Sequence, residues 1–133
     1  MVKVKPSDLI WSHARRVTGN PVIYVCSPFA GDMKVNAAKA EIYCRYVWNQ
    51  GGIPLAPHLL FPRFMDDTDQ EERTAGLEMA RKLLALCAEV WVFGDRISTG
   101  MAAEIAEASA KGIPIYKVDD AHVLYSEVAT CKI

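Results

Sequence analysis

Four short apolar runs alternate along the chain with longer segments of helical pattern. The runs cover residues 22–26, 53–56, 89–93 and 114–118 and are rich in β-branched and aromatic residues. Continuous apolar runs of this kind are typical of strands that are buried on both faces of a parallel sheet. Their starts lie about 25 to 36 residues apart, which is the spacing of βαβ units.

The segments between these runs predict three main helices, over residues 34–50, 69–87 and 99–111. In the second helix one face carries four apolar residues, Leu77, Ala80, Leu83 and Leu84. A further short helix is expected over residues 8–16, with Ser7 as its cap. The sequence therefore predicts one α/β domain over residues 1–133. We expect a small doubly wound parallel sheet of flavodoxin-like, Rossmann-like type, with helices on both faces.

Composition and charge exclude several classes of protein. The chain has 133 residues, of which 51% are hydrophobic, and its 15 basic and 16 acidic residues give a formal net charge of -1. A protein that binds a nucleic acid polymer or a membrane surface would need a basic excess. No apolar run approaches the roughly 18 residues of a membrane span, and the N-terminus lacks the apolar region of a secretory signal. We expect a cytoplasmic protein.

The sequence gives no sign of a metal or another cofactor. Its four cysteines, Cys26, Cys44, Cys87 and Cys131, are widely spaced and form no Cys-x-x-Cys pair, which favours buried thiols in a reducing compartment. His58 lies near two aspartates, but the spacing matches no metal motif. The chain also lacks a Gly-x-Gly-x-x-Gly turn, a Walker loop and a Gly-x-Ser-x-Gly elbow, which disfavours a dinucleotide oxidoreductase, an NTPase and a serine hydrolase.

The most informative segment follows the third strand. Ser98, Thr99 and Gly100 form a strand-to-helix turn that is rich in hydrogen-bond donors, and Glu104 lies one turn into the helix. Ligands of open α/β sheets bind at such turns, and a helix N-terminus favours an anion. Glu107 has Lys111 four residues on, whereas Glu104 has no charged partner at this spacing. Partial burial would raise the pKa of Glu104. The alternative is an ordinary exposed helix glutamate.

The turn after the first strand supplies a second group of candidate ligand-binding residues. Ser27 would contact a sugar or a phosphate, Phe29 would stack on a base, and Gly31 belongs to the same loop. The alternative is an ordinary connection with one aromatic ring over the core. Beyond the second strand, His58 is a candidate for ligand binding or for a structural role. Asp95, after the third strand, would bind a ligand hydroxyl or form a local ion pair with the next residue, Arg96.

Two segments resemble the nucleoside 2-deoxyribosyltransferase-like proteins. Tyr24-Val25-Cys26-Ser27-Pro28-Phe29-Ala30-Gly31 resembles their first strand and loop. Gly100-Met101-Ala102-Ala103-Glu104-Ile105, with Gly112 eight residues past the glutamate, resembles their catalytic segment. The resemblance covers roughly residues 22–118 and is greatest to small bacterial and phage members.

The resemblance implies cleavage or transfer at the N-glycosidic bond of a nucleoside or nucleoside 5'-monophosphate. Glu104 would attack the anomeric carbon, and a second base or water would resolve the glycosyl-enzyme. We expect Asp95 to be a second catalytic residue beside Glu104. The family also implies a homo-oligomer whose sites a neighbouring subunit often completes. Apolar surplus, including the three tryptophans Trp11, Trp48 and Trp91, agrees with an oligomer.

The chain departs from the pattern of the family at two positions. Many transferases carry an aspartate six residues before the nucleophile, where this chain has Ser98, and the serine resembles the deoxynucleoside 5'-monophosphate N-glycosidases. Ala102 stands where some members have glycine, and similar Gly-x-x-x-Glu segments occur in phosphoribohydrolases. Two alternatives to an enzyme stay open, namely a nucleotide-binding or sensor domain without turnover and a structural, partner-binding protein.

Overall fold

Strands and helices alternate along the chain as predicted. A computed structural model describes residues 2–4 and 19–123. Its elements are β1 (Val2–Val4), β2 (Val22–Cys26), α1 (Met33–Asn49), β3 (Ile53–Leu55), α2 (Gln70–Leu84), β4 (Glu89–Val92), α3 (Thr99–Ala110) and β5 (Ile115–Lys117). Two 3-10 turns, Pro57–Leu59 and Phe61–Arg63, lie between β3 and α2. The described part ends in a helical turn over residues 120–123.

All five strands are parallel and lie in the order β1-β5-β4-β2-β3. The four predicted strands thus form one parallel sheet, as expected, in the order of the flavodoxin-like fold. The outermost position next to β5 is taken by β1, which the sequence did not predict because its valines alternate with lysine and form no continuous apolar run. The direction in which strands are added to the sheet reverses at β2, because β3 lies on one side of β2 and the next strand, β4, lies on the other side. Ligands of such folds bind beyond the carboxyl ends of the strands at that point.

The side chains of β2 divide the core into two layers. Ile23 and Val25 pack with Tyr43 and Val47 of α1 on one face of the sheet. Tyr24 and Cys26 point to the other face, where α2 and α3 pack. Successive side chains of a strand point to opposite faces, so residues two apart share a face. The helices therefore cover both faces of the sheet, as predicted.

The predicted element ends differ from the structure by at most three residues, and both ends of β2 agree, but Pro54 departs from its expected place. It is the middle residue of β3, whereas the sequence suggested that it suits the start of a strand. The position tolerates proline because β3 is an edge strand, which has no neighbour on one side to take an N–H bond.

The inward face of α2 was only partly predicted. Leu84 is buried and Ala80 and Leu83 are half-buried, but Leu77 is 60% exposed. At the start of the helix the half-buried residues are instead Gly76 and Met79. The prediction that Leu77 belongs to the inward face was therefore wrong. Asp69 caps this helix by accepting from the N–H of Glu72 at 3.0 Å.

Two of the tryptophans that suggested apolar surplus are described by the structure. Trp91 is 1% exposed and belongs to the core, so it is not available to an interface. Trp48 is half-buried. Trp11, the helix expected over residues 8–16 with Ser7 as its cap, and Cys131 lie outside the described residues. Of the described cysteines, Cys26 and Cys87 are buried free thiols, as predicted, whereas Cys44 is a free thiol that is only half-buried.

Candidate active site

The carboxylate of Glu104 is held by two side chains of β2. The phenol of Tyr24 donates a short hydrogen bond to Oε2 of Glu104. The thiol of Cys26 donates to Oε1 over 3.4 Å. Glu104 is half-buried. It is therefore not an ordinary exposed helix glutamate, which was the alternative that its sequence position allowed.

Two periodicities bring these three residues together. Tyr24 and Cys26 are two apart in a strand and point to the same face of the sheet. On α3, the buried residues Met101 and Ala108 mark the inward face, and Glu104 lies between them on that face. Because α3 packs against the face on which Tyr24 and Cys26 lie, the carboxylate meets both donors.

Burial and hydrogen bonding act on the charge of Glu104 in opposite directions. Burial disfavours the ionised form and raises the pKa of Glu104 above its usual value, while the bonds from Tyr24 and Cys26 lower it, and burial dominates. The pKa values of Tyr24 and Cys26 are raised far beyond their usual range, first by burial and then by the charge of Glu104. Both groups are therefore neutral donors at physiological pH.

Glu107 provides the contrast on the same helix. Its carboxylate pairs with Lys111 at 3.3 Å, as the sequence predicted, and with Arg81 of α2 at 3.2 Å. The bond from Lys111 and the nearby charge of Arg81 lower the pKa of Glu107. It lines a charged surface groove of about 290 Å³ that contains none of the candidate site residues. Of these two glutamates of α3, Glu107 is therefore held by cations, whereas Glu104 is held by uncharged donors.

A second polar pair lies beyond the ends of β2 and β3. Ser27 Oγ lies 3.1 Å from His58 Nε2, and Ser27 is only 5% exposed. The ring of Phe29 lies against His58 with 5.5 Å between the ring centroids. Burial lowers the pKa of His58 to about 4, so its ring is neutral at physiological pH. Three residues proposed from the sequence thus form one cluster.

The loop after β2 has a fixed shape. Gly31 has φ of +99°, a left-handed conformation that other residues rarely adopt. Asp32 caps α1 by accepting from the N–H of Val35 at 3.2 Å. Asn36 of α1 donates to the carbonyl oxygens of Phe29 and Ala30, each at 3.1 Å. No role was expected for Asn36 from its sequence position, although its side chain holds the part of the loop that carries Phe29.

Ser98 begins α3 as its N-cap, and its hydroxyl accepts from the N–H of Met101 at 3.2 Å. Thr99 and Gly100 form the exposed first turn, and open space surrounds Gly100 where a Cβ would lie. The predicted strand-to-helix turn is therefore present. The N–H groups of Thr99 and Gly100 belong to the first turn, which has no intrahelical acceptor for them.

Asp95 and Arg96 are both exposed, and no ion pair joins them in the described part of the chain. The charge of Asp95 acts on Tyr43 of α1, whose pKa rises to about 12, mainly through burial and then through Asp120 and Asp95. Tyr43 packs on the face of the sheet opposite to Glu104. The structure gives no contact between Asp95 and Glu104, and the catalytic role of Asp95 stays a prediction.

The loop after β4 is anchored by two residues that the sequence did not single out. The N–H of Gly94 donates to Asp120 at 3.2 Å, and the carbonyl oxygen of Gly94 accepts from Lys117 Nζ at 2.6 Å. Gly94 has φ of +95°, and a Cβ there would lie 3.5 Å from Pro28. The loops after β2 and β4 are thus neighbours, and side chains at and beyond the end of β5 fix the second loop.

Tyr24 and Cys26 are the residues at Glu104 that sequence reasoning missed. Both lie in the segment that resembles the transferases, but nothing in a buried strand separates a chemical residue from a packing residue. The period of two indicated that they share a face. It did not indicate which helix covers that face, and only the sheet order supplies this.

Among the described residues no group of histidine, cysteine, aspartate and glutamate side chains is arranged to hold a metal ion. Within the same residues, no helix combines the length and apolar character needed to cross a membrane.

The fold resembles that of a known enzyme. A solved structure of a 2-deoxyribosyltransferase from the psychrotolerant bacterium Bacillus psychrosaccharolyticus matches with a TM-score of 0.57 and 22% sequence identity, over 73% of this chain and 71% of that one. At this identity the match shows a shared α/β fold. No curated protein matches the chain at the sequence level.

Family membership rests on a separate match. The family described as "Domain of unknown function (DUF7768)" matches residues 21–118. That range runs from the start of β2 to just past β5 and contains Glu104, Tyr24 and the Ser27–His58 pair. Since the match covers most of the chain, this protein is a member of the DUF7768 family.

Proposed function

We propose that this protein breaks the N-glycosidic bond of a nucleoside or nucleoside 5'-monophosphate, with Glu104 as the nucleophile. The observation that carries the proposal is the half-buried carboxylate of Glu104, bound on both oxygens by neutral donors of β2. The fold shared with a 2-deoxyribosyltransferase supports it. So does the position of Glu104 beside the point where the sheet order reverses.

The surroundings of Glu104 suit a nucleophile. Two donors that contact different oxygens restrict rotation of the carboxylate, so less orientation remains to be fixed when the substrate binds. Burial raises its pKa and removes part of its hydration. The anomeric carbon gains positive charge in the transition state. A poorly solvated carboxylate close to that carbon stabilises the charge.

In the first step an oxygen of Glu104 forms a bond to the anomeric carbon of the sugar. The bond from that carbon to the base nitrogen breaks, and the nitrogen keeps the electron pair and takes up a proton from solvent. In the second step a water oxygen attacks the anomeric carbon, the ester bond breaks, and Glu104 leaves as a carboxylate. The water releases one proton, which balances the proton taken up by the base. With a second base in place of water, the same intermediate gives transfer. Neither route requires a cofactor.

The remaining site residues would bind the substrate. Phe29 and the neutral ring of His58 offer aromatic surface on which a base would stack. The buried hydroxyl of Ser27 offers a hydrogen bond to the sugar or the phosphate of the substrate. Gly31 fixes the shape of the loop that carries Phe29. Asp95 would bind a ligand hydroxyl near the reacting centre.

The turn formed by Ser98, Thr99 and Gly100 would receive a 5'-phosphate, because a helix N-terminus favours an anion and Arg96 precedes it by two residues. A serine at position 98, as in the 5'-monophosphate N-glycosidases that the chain resembles, favours hydrolysis over base exchange.

A screen for released base tests the proposal. The protein is incubated with ribo- and deoxyribonucleosides and their 5'-monophosphates, and free base is measured by chromatography. Release by the parent protein and its loss in Glu104→Gln support an N-glycosidase. Absence of release from every compound, together with raised thermal stability in nucleotide, would instead establish a binding domain without turnover.

A further inference from the structure

The thiol of Cys26 is the second donor at Glu104, and it takes no part in the bond changes described above. Its Sγ lies 3.4 Å from Glu104 Oε1 and 3.9 Å from the carbonyl oxygen of Met101. Cys26 is fully buried. We propose that Cys26 is a positioning residue, whose thiol holds one oxygen of the nucleophile while Tyr24 holds the other. This inference rests on the proposed function of Glu104.

The thiol is suited to act as a donor and unsuited to act as a nucleophile. Burial and the charge of Glu104 raise its pKa, so it keeps its proton. A thiol has one hydrogen and donates it to one acceptor at a time. The carboxylate is nearer than the Met101 carbonyl and carries charge, and the carbonyl also has a helical N–H partner four residues on. The proton is therefore directed at Glu104.

The second acceptor matters once the ester has formed. Glu104 then has no negative charge, and a donor aimed only at its oxygen would lose most of its interaction. The Met101 carbonyl lies within reach of the same thiol, so the buried S–H keeps an acceptor in both states. Cys26 can therefore stabilise the ionised carboxylate more than it stabilises the ester. This difference favours the second step, in which the ester is broken and the carboxylate of Glu104 is restored.

Few other ionisable groups act on this carboxylate. In the described part of the chain, β2 contributes Tyr24 and Cys26, and Cys87, in the segment between α2 and β4, acts on Tyr24. The next glutamate of α3, Glu107, is engaged with cations of its own. Removal of the Cys26 donor should therefore change the titration of Glu104 directly.

The experiment compares Cys26→Ala and Cys26→Val, which remove the donor, with Cys26→Ser, which keeps one. Valine fills the space of the thiol, so it separates loss of the donor from formation of a cavity. Cys87→Ala is the matched control, because Cys87 is a buried thiol of the same apolar cluster that donates to the Leu83 carbonyl at 3.4 Å.

The first measurement is a ¹³C NMR titration of the Glu104 carboxyl, assigned by its loss in Glu104→Gln. We expect the midpoint to rise by about half to one pH unit in the alanine and valine variants, since a thiol is a weak donor to a charged group. The serine variant and Cys87→Ala should stay near the parent. Equal midpoints in all proteins, or an equal shift in Cys87→Ala, would overturn the inference.

The second measurement is the acid limb of the pH profile of base release. This acid limb should move to higher pH in the alanine and valine variants, and in Cys26→Ser it should lie near that of the parent. A merely structural role of Cys26 would not produce this pattern. If the parent protein releases no base, the proposed function fails. The titration still decides whether Cys26 controls the charge of Glu104.

Discussion

The phenol of Tyr24 and the carboxylate of Glu104 are 80 residues apart in sequence and share a hydrogen bond in the fold. One residue belongs to the first predicted strand and the other to the last long helix. Their contact joins the two segments that resemble the nucleoside 2-deoxyribosyltransferase-like proteins. It also leaves Glu104 half-buried, with its carboxylate oriented by a donor from β2.

Glu104→Gln should leave nucleotide binding intact and lower base release on the order of a thousandfold or more. The amide keeps the size of the side chain but forms no glycosyl ester and stabilises no positive charge. Base release and calorimetric binding measure the two effects separately.

Glu107→Gln is the matched control for this variant, because Glu107 loses only its surface pairs with Arg81 and Lys111. It should keep near-normal turnover. Similar behaviour of the two variants would contradict the assignment of Glu104.

Tyr24→Phe should lower base release by about 10- to 100-fold, because a hydrogen bond to a charged group contributes roughly 1.5–3 kcal/mol. Loss of the phenol also removes an interaction that lowers the pKa of Glu104. The nucleophile must be ionised, so turnover should begin at higher pH than in the parent. Steady-state rates across pH measure both effects. The same change at Tyr46, a buried α1 residue on the opposite face of the sheet, should move neither one.

His58 should make the protein less stable in mild acid. Its pKa is about 4 in the folded state, below its ordinary value of 6.5, because burial disfavours the charged ring. The unfolded chain therefore binds the proton more readily between these values. The stabilising contribution is complete above pH 6.5 and is lost as pH falls through 4, on the order of 1–3 kcal/mol.

Thermal melts of the parent and of His58→Gln across this range test the effect. The glutamine variant should show a flatter dependence, and an unchanged slope would show that His58 is not the group responsible. Glu104 acts in the opposite sense. Its raised pKa gives a contribution that is present in acid and is lost as pH rises through the folded value.

A nucleoside 5'-monophosphate should bind more tightly than its nucleoside. The helix dipole at Ser98 contributes roughly 0.3–1 kcal/mol to the binding of an anion. Arg96→Ala should weaken binding of the monophosphate and leave binding of the nucleoside unchanged, as measured by calorimetry. Equal affinities of the two ligands for the parent would place Ser98 at a sugar hydroxyl.

Separately, Ser98→Ala should cost about 1 kcal/mol of stability through loss of the cap.

We predict that the protein is a homo-oligomer that associates through the carboxyl edge of the sheet. Large apolar side chains are exposed in the segments that follow β2, β3 and β4 at this edge, namely Met33, Val35, Leu60, Phe64 and Ile97. Phe64, 67% exposed, is the most accessible of them. Phe64→Ser should lower the mass measured by light scattering.

Leu86→Ser is the control for this prediction, since Leu86 is also exposed but precedes β4 and so lies at the amino edge. A monomeric parent at all concentrations, or an equal effect of both substitutions, would refute the prediction.

The sequence by itself determined the fold class, because burial on both faces of a parallel sheet requires continuous apolar runs such as residues 22–26. It also determined the strand-to-helix turn at Ser98, Thr99 and Gly100 and the pair of Glu107 with Lys111, since these depend on residues close together in sequence. Glu104 was singled out by its place after a strand-to-helix turn and by its lack of a local partner.

The tertiary structure decided what surrounds Glu104. Tyr24 and Cys26 reach it because β2 lies beside β4 and α3 covers the face on which these two side chains lie. Similarly, Ser27 meets His58 because β2 pairs with β3. Periodicity fixes which residues share a face, but the choice of neighbouring strands depends on the packing of the whole chain. The charge state of Glu104 follows from that packing, because burial and distant donors together set its pKa.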